Sequence, residues 1–370
     1  MNCLLRILVV GSLVAGSSGR GDAPAAKETG RVTMHVAITN VQGSPISGLT
    51  TADIEVWGDG ERVEVHGIGP AQPLSLVVLL DATSSMSSVM VPFVWDGTYE
   101  GGRLKVSGTR GPDRPVDLFM KPIQEGLLSA RAATDRMRFG TVTRQPRFSP
   151  GFRTDRATLL ADAREVLRVP DSERYGPSPV WDAVGHAVTS LESEPGQRAI
   201  LVVTDGYSTG NRVGLGDVIS QAVRAGVTVF VIHEWPRLAG RGGRIADSTA
   251  NPWMIINNPF GDPPNVTLRQ LAVGSGGSYF VDGYRSDQPD LSELLKRTVD
   301  SLHRTYAITF ESGYHLASGR RPDFRLSSGG LLRAQRIENR QPPVPGLFGI
   351  VSAVPQSDRN KPKSNRPYRH

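Results

Sequence analysis

Residues 75–88 read SLVVLLDATSSMSS. An apolar run, Leu76 to Leu80, ends on Asp81, and Thr83, Ser84, Ser85, Ser87 and Ser88 follow at once. Two later runs share its character, RAILVVTDG (198–206) and VTVFVIHE (227–234). A strand with one face in water alternates between apolar and polar residues. A continuous apolar run bounded by turn residues is instead buried on both faces, as in a parallel sheet covered by helices. Helical patterns separate these runs and predict helices over 116–133, 155–168, 179–193, 216–226 and 290–304. Strands alternating with helices predict a doubly wound, mostly parallel, Rossmann-like α/β domain over 73–305.

The flanks follow a different period. VTMHVAIT, IEVWGDG and RVEVHGI within 31–72 alternate in twos, as do YAITFES, DFRLSS and LRAQRIE within 306–340. These read as short strands, and each flank is too small to be stable alone. The expectation is that an N-terminal β segment (31–72) and a C-terminal β segment (306–340) pair into one small β-sandwich, with the α/β domain inserted between them. The alternative is two small β modules on opposite sides of that domain.

Composition narrows the function classes. The 370-residue chain carries 38% hydrophobic residues, 41 Gly and 27 Pro, so many loops surround a real core. The formal net charge is +6, but QSDRNKPKSNRPYRH (356–370) holds five Lys/Arg against one Asp, so most of the excess sits in the tail. A basic nucleic-acid-binding face is not indicated. Residues 341–370 read as a disordered basic tail. At the other end, Arg6 precedes an apolar stretch from Ile7 to Ala15 and then small residues. This is a signal-peptide pattern over 1–17, followed by a linker over 18–30. It predicts an exported protein, periplasmic or extracellular, without a transmembrane segment after cleavage. The alternative for the same residues is a buried N-terminal strand or helix. Cys3 is the sole cysteine, so neither a disulfide within the chain nor a thiol nucleophile remains in the mature form.

Asp81 and Asp205 both end apolar strands. In open α/β sheets ligands bind at the carboxyl ends of the strands, near the point where strand order reverses. Asp-x-Thr-x-Ser places several oxygens around one point, as a hard cation requires. Mg²⁺ takes six oxygens at about 2.0–2.1 Å, keeps several waters, and uses one or two carboxylates. No Cys or His cluster favours zinc here. The competing structural reading is that the Ser and Thr cap the next helix and Asp205-Gly206 makes a turn.

Asp81-Ala-Thr83-Ser-Ser85 resembles the Asp-x-Ser-x-Ser motif of von Willebrand factor type A (VWA) domains, which forms a metal-ion-dependent adhesion site (MIDAS) in that family. YGPSPVWDAV (175–184) is similar to the family's later Thr-bearing loop, with Ser178 where the Thr stands, and Val-Val-Thr-Asp-Gly supplies Asp205. The resemblance implies a metal set of Asp81, Thr83, Ser85, Ser178 and Asp205, holding Mg²⁺, with Mn²⁺ or Ca²⁺ as alternatives. Thr83 and Ser178 are swaps that keep a hydroxyl. Ser84 replaces the family's Gly, and Asp182 reads as a supporting residue. The flanks resemble the ends of a bacterial VWA-related family abundant in acidobacteria. The implied function is metal-dependent adhesion or protein–protein interaction with a partner that offers an acidic side chain, not catalysis.

Two insertions, 91–115 and 234–265, are long for a compact domain and mix aromatic residues with arginine. Trp95, Tyr99 and Arg103 in the first, and Arg237, Arg241, Arg244 and Trp253 in the second, are candidates for a partner-binding rim. An envelope scaffold that uses its β flanks and binds no metal is the second reading. A hydrolase is the third and weakest. Position 83 is Thr where an aspartyl phosphatase needs its second Asp, no nucleophile elbow occurs, and neither His186 nor His233 has a visible nucleophile.

Overall fold

The computed structural model describes residues 6–8, 30–39, 46–58, 60–86, 97–100, 103–106, 114–234, 264–281, 290–312 and 322–338. Strands in chain order are β1 (Arg6–Leu8), β2 (Gly30–Thr39), β3 (Ile54–Gly58), β4 (Glu61–Val63), β5 (Val65–Pro70), β6 (Leu74–Asp81), β7 (Gly97–Glu100), β8 (Arg103–Val106), β9 (Arg136–Val142), β10 (Arg147–Phe148), β11 (Gln197–Thr204), β12 (Thr228–His233), β13 (Tyr279–Val281), β14 (Tyr306–Ser312) and β15 (Asp323–Leu326). Helices are α1 (Pro115–Pro122), continued by a π-helical turn over Ile123–Leu127 into α2 (Leu128–Ala130), then α3 (Arg156–Val166), α4 (Asp171–Arg174), α5 (Val180–Leu191), α6 (Leu215–Ala225), α7 (Pro264–Ser275), α8 (Leu291–Leu302) and α9 (Ser328–Glu338).

The central sheet has six strands in the order β10-β9-β6-β11-β12-β13, all parallel except the short edge strand β10. Every residue of β6, β11 and β12 is buried, as the unbroken apolar runs require. Alternate residues feed two separate cores. Leu76, Val78 and Leu80 of β6, with Leu201 and Phe230, pack under Phe119, Leu159 and Leu295. Val77 and Leu79, with Ile200 and Val229, pack under Val184, Val218 and Leu271. Helices therefore cover both faces, and the doubly wound α/β fold holds. The chain runs outward from β6 to β9 and β10, then returns to the other side of β6 as β11. The order reverses between β6 and β11, and this places the site.

The flanks pair with each other. β14 lies between β2 and β5, and β15 pairs with β3, so both sheets mix N- and C-terminal strands. Val32, Met34, Val36, Ile54, Val56, Ile308, Phe310 and Phe324 form one shared core. This is the single sandwich, not two modules. Part of the period-two reading fails: LRAQRIE lies in helix α9, not a strand. Ser327 caps that helix, since its Oγ accepts from Gly330 N–H at 3.1 Å. Buried Ala334 then packs into the sandwich core. Strand β9 carries alternating Arg136 and Arg138 and went unread, as did α7, which starts inside the predicted second insertion.

Within the predicted leader, Arg6–Leu8 pairs antiparallel with β2; the rest of 1–17, nearly all of the linker, and the tail 341–370 lie outside the described residues. Among the described residues no helix is long and apolar enough to cross a membrane.

Candidate metal centre

Parallel register sets Val203 opposite Leu80, so Thr204 stands beside Asp81 at the carboxyl edge of the sheet. Asp81 is fully buried, and its carboxylate is saturated with donors. The Thr83 hydroxyl and N–H donate to Oδ1 at 2.6 and 3.0 Å. The Thr204 hydroxyl donates to Oδ2 at 2.6 Å, and the Ser178 hydroxyl reaches the same oxygen at 3.4 Å. Ser85 Oγ lies 3.0 Å from Thr83 Oγ1. Asp81, Thr83, Ser85, Ser178 and Thr204 are thus drawn from three places in the chain into one hydrogen-bonded cluster.

Asp205 completes the cluster through charge. Its Oδ1 accepts from Tyr207 N–H at 3.1 Å, while Oδ2 is buried and makes no hydrogen bond. Burial, and then the negative charge of Asp81, push its carboxyl up to about 7, against the opposing pull of the Ser85 hydroxyl and the Tyr207 N–H. Burial also raises Asp81, although the Thr204, Thr83 and Ser178 hydroxyls oppose it. Two buried carboxylates with one orphaned oxygen, ringed by the hydroxyls of Thr83, Ser85, Ser178 and Thr204, are short of positive charge. This donor set is all oxygen and fits a hard divalent cation.

The loops around the pair are tied to one another. Ser178 O accepts from Thr209 N–H at 2.8 Å, and Ser178 N–H donates to Thr209 Oγ1 at 3.0 Å. Asp182, on the first turn of α5, accepts from Arg212 and Val213 N–H at 2.8 and 3.1 Å. It holds the loop after β11 and does not reach the carboxylates. Gly206 has φ +78°, and a Cβ there would come within 2.6 Å of Leu268 Cδ1. The turn after Asp205 therefore needs glycine for both conformation and space.

Two contributors were missed in the sequence. Thr204 bridges the strands, since its oxygen also accepts from Gly206 N–H at 3.0 Å. Its signal was a hydroxyl inside a fully buried apolar run. His233 backs Asp205: its Nε2 lies 3.1 Å from the Asp205 carbonyl, which can only accept, so that nitrogen carries the proton. Nδ1 then accepts from Tyr279 OH at 2.6 Å. Burial pulls His233 down to about 4, so it stays neutral with both nitrogens engaged. His186 is exposed on α5.

The rim residues Trp95, Arg237, Arg241, Arg244 and Trp253 lie outside the described residues. Tyr99 and Arg103 sit on the two-stranded hairpin of β7 and β8, where Tyr99 pairs with Leu104 and Glu100 with Arg103; their side chains lie outside the description.

No protein-family model matches the sequence, and no curated protein matches it by sequence. Solved structures similar to this chain include an aerotolerance-related membrane protein from Bacteroides fragilis, at 14% identity and a TM-score of 0.40, covering 62% of this chain and 98% of that one. A von Willebrand factor type A protein from Catenulispora acidiphila matches at 12% identity and a TM-score of 0.41, covering 81% and 49%. Proximal thread matrix protein 1 from the mussel byssus, with a zinc-occupied MIDAS motif, matches at 13% identity and a TM-score of 0.40, covering 64% and 47%. Likenesses this distant add nothing to the fold, which stands on sheet order and register, or to the roles of individual residues, which stand on the contacts above.

Proposed function

We propose that the protein is a VWA-type binding module whose carboxyl sheet edge holds Mg²⁺, or Mn²⁺ or Ca²⁺ in its place, and captures an acidic side chain of a protein partner outside the cytoplasm. The observation that carries this reading is the orphaned, buried Oδ2 of Asp205 beside the buried Asp81 carboxylate. Asp81, Thr83, Ser85, Ser178 and Asp205 would hold the ion. When bound, the cation would supply a coordination position for an incoming carboxylate. Thr204 holds Asp81 in place through Oδ2, and His233 holds the Asp205 backbone. Two protein carboxylates balance most of a divalent charge, so capture of a third is moderate in strength and reversible.

The neutral, doubly bonded His233 supports a binding role over an enzymatic one, because it has no free nitrogen to act as a base. The test is calorimetric titration of Mg²⁺, Mn²⁺ and Ca²⁺ into the chelator-stripped protein beside Asp81→Ala. One saturable event that disappears in the variant is expected. Absence of binding in the parent protein would overturn the reading in favour of a metal-free scaffold.

A further inference from the structure

A second cluster lies in the sandwich, away from the sheet edge. β5 and β14 pair antiparallel, and their register shifts between Thr309 and Phe310. Thr309 opposes Gly67 and Phe310 opposes Val65, so His66 is the extra residue of a β-bulge. Bulges re-aim the side chain they carry and are over-represented beside functional sites. The His66 ring here sits between two carboxylates. Nε2 lies 3.4 Å from Glu311 Oε1, and Nδ1 lies 3.8 Å from Glu64 Oε1. Nε2 is buried and makes no hydrogen bond. One ring nitrogen and one oxygen of each glutamate lie within 4.8 Å of one another.

We propose that Glu64, His66 and Glu311 bind a divalent transition ion of the zinc class, with water completing its shell. One imidazole and two carboxylates make a three-ligand set of the kind found in open zinc sites. Ligands at about 2.0–2.2 Å from a tetrahedral ion stand about 3.3–3.5 Å apart. Nε2 and Glu311 Oε1 have that separation, which is long for a charge-assisted hydrogen bond but right for two ligands of one ion. Two of the ligands are also fixed by backbone, because Glu311 N–H donates to Glu64 O at 3.2 Å. The Glu64 side chain is 74% exposed and can swing to close the set. The imidazole selects against Mg²⁺ and Ca²⁺, so this site and the all-oxygen cluster at Asp81 divide metals between them.

The consequence is a staple. Glu64 and His66 belong to the N-terminal flank and Glu311 to the C-terminal flank, with the whole α/β domain between them. An ion here closes a very long loop in a chain whose single cysteine cannot form an internal disulfide. Binding that depends on the folded pair of strands stabilises the fold directly.

The experiment uses the full chain carrying Asp81→Ala, which removes the other cluster from the measurement. Zn²⁺ is titrated by calorimetry, and melting is followed with Zn²⁺ in excess. One equivalent should bind, and the melting midpoint should rise by about 5 °C or more. Adding His66→Ala, or separately the near-isosteric Glu311→Gln, should weaken binding at least about tenfold and remove the shift. The glutamine variant leaves the bulge and backbone intact, so loss of binding there is not loss of fold. Zn²⁺ binding that survives both substitutions, or none in the Asp81→Ala protein, would overturn the proposal and leave the Mg²⁺ reading untouched.

Discussion

Replacing Asp205 with asparagine should make the metal-free protein more stable at neutral pH while removing its Mg²⁺ binding. Burial and the Asp81 charge raise the folded carboxyl to about 7, against 3.8 in the unfolded chain. Between these values the folded state keeps a proton that the unfolded state has released. Stability therefore falls as pH rises, with the favourable term fully present below 3.8 and lost by the time pH passes about 7. At 1.36 kcal/mol per tenfold change in proton activity, the loss is on the order of 4 kcal/mol. Asp81, raised in the same direction, adds to it. Urea unfolding followed by circular dichroism, in chelator from pH 4.5 to 8, measures this. Wild type should lose stability across the range, and Asp205→Asn should keep only the shallower slope that the buried Asp81 contributes and be more stable at pH 8. Saturating Mg²⁺ should flatten the wild-type profile as well. A wild-type curve that is flat or rising in chelator, or an asparagine variant that keeps the full slope, would refute the argument that the two carboxylates repel each other in a dry site.

Thr204→Val keeps the shape but leaves Asp81 Oδ2 and Gly206 N–H without their 2.6 and 3.0 Å partner. It should cost about 1–3 kcal/mol in urea unfolding and weaken Mg²⁺ about 10–100-fold by calorimetry. Gly206→Ala forces a Cβ against Leu268 and Pro264 at positive φ; a loss of about 1–3 kcal/mol, with weaker Mg²⁺ binding, is expected from the same two measurements. Leu201→Ala opens a cavity beneath a fully buried strand position. It should cost about 2–5 kcal/mol by urea unfolding while changing Mg²⁺ affinity far less than Thr204→Val does.

The fold was legible where burial was complete. LSLVVLLD, RAILVVT and VTVFVIH carry no polar face, and only a helix-covered parallel sheet accommodates three such strands. The candidate ligands were legible because each sits where such a strand ends. β9 was not, because Arg138 interrupts its apolar character; that arginine donates to Ser149 O at 2.9 Å and lies over the Phe148 ring, so β10 shields it. LRAQRIE misled because alternation over seven residues is also compatible with a helix that buries one narrow stripe around Ala334. Ser327, an N-cap residue three positions before Gly330, was the overlooked start signal. The roles of Thr204 and His233 were hidden for another reason: they depend on neighbours across the sheet, and a one-dimensional pattern, which marks Thr204 only as a hydroxyl in an apolar run, does not show which strand lies beside which.

The junction between the two halves explains how both can work. β5 ends at Pro70 and β6 begins at Leu74; α8 ends at Leu302 and β14 begins at Tyr306; and Tyr306 pairs with Pro70. Both crossings therefore leave the sandwich side by side. Thr305 donates to Gln197 Oε1 at 3.3 Å, and Gln197 opens β11 opposite Leu74 of β6. The sandwich grips the amino ends of the same two strands whose carboxyl ends present Asp81 and Asp205. Strand β6 is 8 residues long, and at about 3.3 Å per residue that separates the two ends by roughly 25 Å. That span is about three Debye lengths at physiological salt. Fully buried strands join the two ends as rigid spacers. A partner captured at the carboxyl edge would be held away from the sandwich, and a metal staple in the sandwich would brace the far end without competing for the same ion.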